Sequence, residues 1–245
     1  MALTSMSLPF LILQTGTPVA PMRRRGGFPH WIRVAAGLRA GEVVEVDVES
    51  GIAPPPFRAF AGVLVTGSGA MVSDRRPWSE ATAGWLRDAI HAGTPTFGIC
   101  YGHQLIAHAL GGTVGDNPAG REMGTVELRC NAAAAGDPLF AGAPVVFPVQ
   151  MTHLQSVLVA PAGAEVLAAT DLDVCAALRF SDRAWGVQFH PEFSARHMRG
   201  YIAARAPALR REGRNPRVVH AAVRATPSAR GILRQFVRLA RRNAG

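Results

Sequence analysis

The most constraining feature of the chain is the run Thr96–Gln104, which reads TFGICYGHQ. A short apolar strand pattern leads into a cysteine, and a helix pattern follows directly. Gly98 and Gly102 stand two residues before and two residues after Cys100, which is the spacing of a nucleophile elbow with cysteine in place of serine. A strained strand-to-helix turn presses these two positions against the nucleophile, so that only a residue without Cβ fits there, and the helix N-terminus favours a thiolate. The pattern predicts covalent catalysis by Cys100, and the competing interpretation is a buried core cysteine.

Strand and helix patterns alternate through the first half of the chain. Apolar runs at 8–13, 61–66 and 96–99 predict buried strands, and an alternating run at 42–48 predicts a further strand. Segments 28–38, 79–92 and 103–110 have helical patterns, with Ser79 expected as an N-cap. Short strands are predicted at 125–130, 145–149, 157–160, 165–170, 175–180 and 184–189. This order predicts a single α/β domain with a mostly parallel open sheet flanked by helices.

The basic residues are concentrated at the C-terminal end. All 26 are arginine, and 13 of them lie in residues 196–245, whereas residues 1–195 hold 13 arginines against 16 acids. The high pI of about 11.1 therefore belongs to an Arg-rich helical extension at 196–245, which we expect to pack on the domain formed by residues 1–195. Because this extension lacks interleaved aromatic residues and any known reading motif, the sequence argues against nucleic-acid binding.

The cysteines and the apolar segments bear on compartment and cofactor. Cys100, Cys130 and Cys175 are an odd, widely spaced set without metal-ligand spacing, which predicts no disulfide framework and no metal site. No apolar run approaches the length of about 18 residues that a membrane span needs, and the N-terminus has no positively charged leader. We therefore expect a cytoplasmic protein that has no membrane segment and needs no cofactor.

A cysteine nucleophile needs a base, and the base needs a group that orients it. The best candidates end an apolar strand in the segment Gly186–Glu192, where His190 and Glu192 are separated by a proline. Catalytic groups of parallel sheets gather beyond the carboxyl ends of the strands. A carboxylate at Glu192 could reach back to the imidazole and set its tautomer. Alone, the His-Pro-Glu segment is more often structural, but beside the elbow it predicts a Cys100–His190–Glu192 triad.

Two segments together carry a resemblance to a known family. FGICYGHQLIAHALGG at 97–112 and GVQFHPE at 186–192 resemble the class I glutamine amidotransferases, and the likeness runs over roughly residues 8–195. The relatives most similar in character are stand-alone glutaminase-like proteins related to the amidotransferase domain of GMP synthase. The resemblance implies a flavodoxin-like sheet and a γ-glutamyl thioester on Cys100. It also implies an oxyanion hole from the backbone N–H groups of Ser68 and Tyr101, although the glycine turn that holds Ser68 could be only a turn.

The resemblance also implies a substrate site and partners. Gly67, Gln104, Thr152 and His153 match positions that bind glutamine in relatives. The chain reads THLQS at 152–156 where relatives often have His-Gly-Asp, and Gly-Ser-Gly-Ala at 67–70 where a proline is common at the third place. The first departure changes the pocket for the α-amino and α-carboxylate groups, so the pocket around Gln155 should distinguish glutamine from larger γ-glutamyl amides.

The sequence is therefore compatible with three functions. The first is a glutaminase that releases ammonia, and since nothing like a synthetase domain follows residue 195 we expect a separate synthetase partner to use it. The second is a γ-glutamyl peptidase or hydrolase with the same triad. The third is a non-catalytic binding module on this fold. The sequence makes no prediction about the oligomeric state.

Overall fold

The fold is built on short apolar strands that are buried on both faces. A computed structural model describes residues 8–243. The strands are β1 (Phe10–Gln14), β2 (Val43–Asp47), β3 (Gly62–Val65), β4 (Thr96–Ile99), β5 (Thr113–Asp116), β6 (Glu122–Cys130), β7 (Val146–His153), β8 (Gln155–Val159), β9 (Glu165–Ala169), β10 (Ala177–Ser181) and β11 (Ala184–Val187). Every residue of β3, β4 and β11 is buried, as is typical of central strands in a parallel sheet.

Helices cover both faces of this sheet. They are α1 (Ala20–Arg23), α2 (Phe28–Ala36), α3 (Pro77–His91), α4 (Tyr101–Ala109), α5 (Ala132–Gly136), α6 (Ala195–Arg211), α7 (Pro216–Ala221) and α8 (Pro227–Asn243). One core layer joins the sheet to α2 and α8, and the other joins it to α3 and α4. A third cluster packs the start of α2 against α6.

The main sheet has a parallel half and an antiparallel half. Its strand order is β2-β1-β3-β4-β11-β10-β9-β6-β7, and β5 pairs with β8 in a separate two-stranded sheet. The strands from β2 to β11 are parallel, and each strand from β10 to β7 is antiparallel to its neighbours. The predicted α/β class with an open, helix-flanked sheet is confirmed.

The parallel half determines where a site can form. The strands β3, β4 and β11 are adjacent, and Gly98 in β4 pairs with Val65 on one side and with Gly186 on the other. The segments that follow these three strands therefore emerge together at one edge of the sheet. In open α/β sheets, ligands bind in the crevice beyond these carboxyl ends.

The described part of the Arg-rich segment, residues 196–243, packs closely on the sheet. In α8, Leu233, Phe236, Val237 and Ala240 are buried, and the Phe236 ring lies 5.2 Å from that of Phe97 in β4. Arg234 donates from Nε to the carbonyl oxygen of Ala35 at 3.0 Å. The helix therefore contributes to the main core, and the boundary placed at residue 195 stays a prediction.

The structure differs from the sequence-based expectations at α3 in particular. Helix α3 begins at Pro77 and not at Ser79, because proline suits the first turn of a helix, where its missing N–H has no partner to lose. Ser79 is therefore not the N-cap but a residue of the first turn, and its hydroxyl lies 2.6 Å from the hydroxyl of Tyr101. Within residues 8–243, no helix is long and apolar enough to cross a membrane.

Candidate active site

Cys100 adopts a backbone conformation that side chains rarely occupy. Its φ is 52° and its ψ is −102°, between the end of β4 and the start of α4. A Cβ on Gly98 would lie 2.5 Å from the carbonyl carbon of Gly102, and one on Gly102 would lie 2.6 Å from the carbonyl oxygen of Val65. Both glycines are therefore required by contact with the main chain, as the elbow pattern predicts.

Two backbone hydrogen bonds hold the elbow between its neighbouring strands. The N–H of Cys100 donates to the carbonyl of Val187 at 2.8 Å, and that of Gly102 donates to the carbonyl of Thr66 at 3.1 Å. Helix α4 starts at the next residue, Tyr101, so the positive end of its dipole lies at the sulfur. The thiol is thus held between two strand ends at the N-terminus of α4.

The imidazole of His190 lies beside this elbow and is oriented by Glu192. Nδ1 of His190 donates to Oε1 of Glu192 at 2.8 Å, and both side chains are buried. A Cβ on Gly67 would lie 3.0 Å from Cε1 of His190 and 3.7 Å from Cβ of Cys100, so these three residues meet at one point. Nε2 of His190 has no hydrogen-bond partner within residues 8–243. The nitrogen that faces away from Glu192 is therefore free to exchange a proton.

The electrostatics of His190 favour its charged form. Burial alone would lower its pKa, but the negative charges of Glu192 and of a Cys100 thiolate outweigh burial and raise the pKa to about 10. The ring also stacks on Phe193 with centroids 4.2 Å apart.

The glycine turn after β3 is fixed by residues that sequence reasoning did not single out. Thr15 donates from Oγ1 to the carbonyl of Thr66 at 2.9 Å, and its N–H donates to Oγ1 of Thr66 at 3.0 Å. A Cβ on Gly16 would lie 2.9 Å from Cα of Ser68. The turn after β1 therefore sets the position of the Ser68 backbone. The only signal in the sequence was a glycine turn at the end of the first strand.

The predicted substrate-binding residues divide into two groups. Gln104, Thr152 and His153 line a cavity of about 370 Å³ together with Cys100, whereas Gly67 packs against His190 and Cys100. Nε2 of Gln104 donates to the carbonyl of Gln155 at 2.6 Å and to Oε1 of Gln188 at 2.9 Å. Its amide donors are therefore used within the protein, which leaves Gln104 to position the end of β7 and the start of β8.

Both ring nitrogens of His153 are likewise in hydrogen-bonding contact within the protein. Its Nδ1 lies 3.0 Å from the carbonyl oxygen of Gln155, and its Nε2 lies 3.0 Å from Oε2 of Glu122. Gln155 in turn donates from Nε2 to Oγ of Ser73 at 2.6 Å and to Oδ1 of Asp116 at 3.0 Å. These hydrogen bonds fix the Gln155 side chain in the cavity wall, so the cavity is closed on that side.

Another histidine of the elbow helix has a packing role. His103 is fully buried, and burial lowers its pKa to about 3, so the ring is neutral. A Cβ on Gly186 would lie 2.5 Å from its Nδ1, which shows how closely α4 approaches β11. In the described residues 8–243, no group of three or more His, Cys, Asp or Glu side chains is arranged to hold a metal ion.

Comparison with known proteins decides the family. A family model described as "Glutamine amidotransferase class-I" matches residues 40–206, which is more than half of the chain. The chain belongs to the class I glutamine amidotransferases. The resemblance stated from the two sequence segments is thereby confirmed.

Curated relatives carry a consistent name. A GMP synthase (glutamine-hydrolyzing) from Streptomyces avermitilis is 38% identical over 161 residues, which cover 64% of this chain and 30% of the relative. The enzyme of the same name from Aeropyrum pernix is 38% identical over 166 residues, with coverages of 64% and 30%. The matched part of this amidotransferase therefore spans less than a third of the length of these relatives.

Solved structures share the fold over nearly the whole chain. A glutamine amidotransferase from Thermotoga maritima superposes with a TM-score of 0.73 at 20% identity, covering 96% of this chain and 98% of that one. A glutamine amidotransferase from Methylobacillus flagellatus gives 0.69 at 24% identity, with coverages of 97% and 91%. At these sequence identities, the similarity shows that the fold is shared.

Proposed function

We propose that this amidotransferase hydrolyses the side-chain amide of glutamine through a covalent thioester on Cys100. The observation that carries the proposal is the buried His190–Glu192 pair, 2.8 Å apart, beside a cysteine held at positive φ. An oriented base next to a rigidly held nucleophile is the arrangement that covalent amide cleavage requires.

The proposed mechanism assigns one task to each group. Nε2 of His190 holds the thiol proton, Sγ of Cys100 attacks the amide carbon, and the C–N bond breaks as that proton passes to the departing ammonia. Water, deprotonated by His190, then cleaves the C–S bond and gives glutamate. The backbone N–H groups of Ser68 and Tyr101 would stabilise the oxyanion in both steps, and one such donor is typically worth ~10²–10³ in kcat.

The experiment measures ammonia release from glutamine together with labelling of Cys100 by a chloroketone analogue of glutamine. We expect both to be lost in Cys100→Ser and kept in Cys130→Ser, since Cys130 lies at the end of β6 and outside the cavity. Labelling carries the greater weight because glutaminase turnover can depend on a partner. The proposal fails if wild-type protein neither releases ammonia nor is labelled, and a non-catalytic module is then the better account.

A second candidate is hydrolysis of γ-glutamyl amides of larger amines. The closed wall at Gln155 favours glutamine, whereas the cavity volume of about 370 Å³ and the further lining residues Val19, Arg23, Tyr201 and Arg205 favour larger amines. Cavities of ~300–1,000 Å³ hold ligands of drug-like size. Measuring amine release from a γ-glutamyl amide panel separates the two candidates.

The likeness to proteins named GMP synthase also suggests a fate for the ammonia. We propose that a separate synthetase protein takes it up in the cytoplasm. The expected result is that glutaminase turnover rises when the cognate synthetase and its substrates are added. A rate that no synthetase changes would leave free hydrolysis as the function.

A further inference from the structure

The direction in which a leaving group departs follows from the position of His190. In the proposed function, on which this inference rests, His190 returns its proton to the leaving nitrogen, so the amine part of a substrate lies on the imidazole side of Cys100. That side is formed by aromatic residues around the imidazole. The Phe28 ring stacks 6.4 Å from His190, and the Tyr201 ring lies 4.8 Å from Phe193, which itself stacks on His190.

Two arginines line the cavity on the elements that carry these rings. Arg205 follows Tyr201 by about one turn of α6, and Arg23 ends α1, just before α2 begins at Phe28. Tyr201 lines the same cavity as both arginines and Cys100, and burial raises the pKa of its phenol.

Within residues 8–243, these two arginines differ from the other arginines of the cavity because neither forms an ion pair. Arg76 and Arg121 lie 3.4 Å and 3.0 Å from carboxylate oxygens of Asp74 and Glu212. Arg23 donates only from Nε, to the carbonyl of Pro18, and Arg205 makes no hydrogen bond or ion pair with any residue in 8–243.

The other charges of the cavity wall bear on what these two arginines can bind. Arg23 belongs to residues 1–195, which hold 13 arginines against 16 acids, whereas Arg205 belongs to the Arg-rich segment 196–245. Glu49 also lines the cavity: burial and Asp47 raise the pKa of its carboxyl, and Arg76 and Arg23 oppose this rise, but within residues 8–243 it forms no ion pair with Arg23 or Arg205. Unpaired guanidinium groups next to a leaving-group path are suited to bind a carboxylate.

We propose that, besides glutamine, the cavity accepts γ-glutamyl amides whose amine part is an amino acid or peptide with a free carboxylate, bound by Arg23 and Arg205. The reaction consumes one water: the γ-amide C–N bond breaks, a C–S bond to Cys100 forms and is then hydrolysed, and the products are glutamate and the free amino acid. No oxidant or cofactor is needed. The aromatic rings would contact the body of the amine, and the arginines its anionic end.

A matched pair of substrates tests this proposal. γ-Glutamylalanine and γ-glutamylalaninamide have nearly the same size, and only the first has a carboxylate on its amine part. We expect kcat/KM to be about tenfold or more higher for the acid, the scale of a hydrogen bond to a charged group. In the double variant Arg23→Gln/Arg205→Gln this ratio should fall towards one. Arg210→Gln, an exposed change on the same helix α6, should leave the ratio as in wild type.

The outcomes separate this inference from the proposed function. If both amides are cleaved equally, if only glutamine is cleaved, or if the preference persists in the double variant, the inference is wrong while amide cleavage by Cys100 stands. If glutamine and both amides remain intact, the proposed function fails and the inference fails with it. Circular dichroism of the double variant shows that a lost preference does not reflect lost folding.

Discussion

An alanine at Gly98 would perturb the elbow without touching any side chain of the triad. Its Cβ would lie 2.5 Å from both the carbonyl carbon and the carbonyl oxygen of Gly102, and 2.6 Å from the backbone nitrogen of His103. These are main-chain atoms of the first turn of α4, so they cannot rotate away as the end of a side chain can. To reach an ordinary contact of 3.4 Å, β4 and α4 must separate by about 0.9 Å at this point.

That displacement sets the expected magnitudes. Overpacking of this kind costs ~1–3 kcal/mol of unfolding free energy. A shift of about 1 Å at a catalytic group can cost ~10²-fold in rate. We therefore expect Gly98→Ala to unfold at lower urea concentration and to react with the chloroketone analogue about 100-fold more slowly at Cys100.

The matched control is Gly231→Ala in the second turn of α8. No heavy atom lies within 4 Å of the Cβ that it would add, and the site is in a helix, where alanine is favoured by about 1 kcal/mol over glycine. This variant should be slightly more stable than wild type and label normally. Wild-type stability together with wild-type labelling of Gly98→Ala would refute the close-approach account of the elbow.

The other predictions concern the triad and its supports. Glu192→Gln should lower the rate of Cys100 labelling by ~10²-fold or more, since general-base catalysis contributes ~10²–10⁴; an unchanged rate would show that the carboxylate does not orient the base. Because the folded-state pKa of His190 is raised to about 10 from 6.5, its charge stabilises the fold fully below pH 6.5, and this contribution is lost as pH rises through 10. Unfolding free energy should therefore fall by ~1–5 kcal/mol between pH 7 and 10 in wild type and stay flatter in His190→Gln, and parallel profiles would contradict the assignment. Tyr101→Phe and Ser79→Ala should each cost ~1 kcal/mol, with a coupling in the double variant that reflects their 2.6 Å contact; strict additivity would argue against that bond.

The local parts of the site could be predicted from the sequence because their constraints are local. The elbow depends on a spacing of two residues on either side of Cys100, and β4 was predicted at 96–99, as the structure has it. The same holds for His190 and Glu192, where a single proline separates base and carboxylate. His190 and Glu192 come close to Cys100 because β11 is adjacent to β4, an arrangement that the α/β pattern already favours.

Other parts depend on contacts between distant segments. That the amide donors of Gln104 are used by Gln155 and Gln188 cannot be read from a motif, because those partners lie 51 and 84 residues away. The two arginines of the leaving-group side come from α1 and α6, and nothing in their local sequence distinguishes them from the many other arginines. The strand order β10-β9-β6-β7 of the antiparallel half joins β9 to β6, strands that are distant in the sequence, and has no local signature.

Acid-quench mass spectrometry of the protein during turnover of glutamine tests the proposed thioester on Cys100 most directly. We expect a glutamyl group attached to the peptide that contains Cys100, present in wild type and absent in Cys100→Ser. Glutamine consumption by Cys100→Ser at the wild-type rate, or steady turnover in wild type with the acyl group on a different residue, would contradict the account.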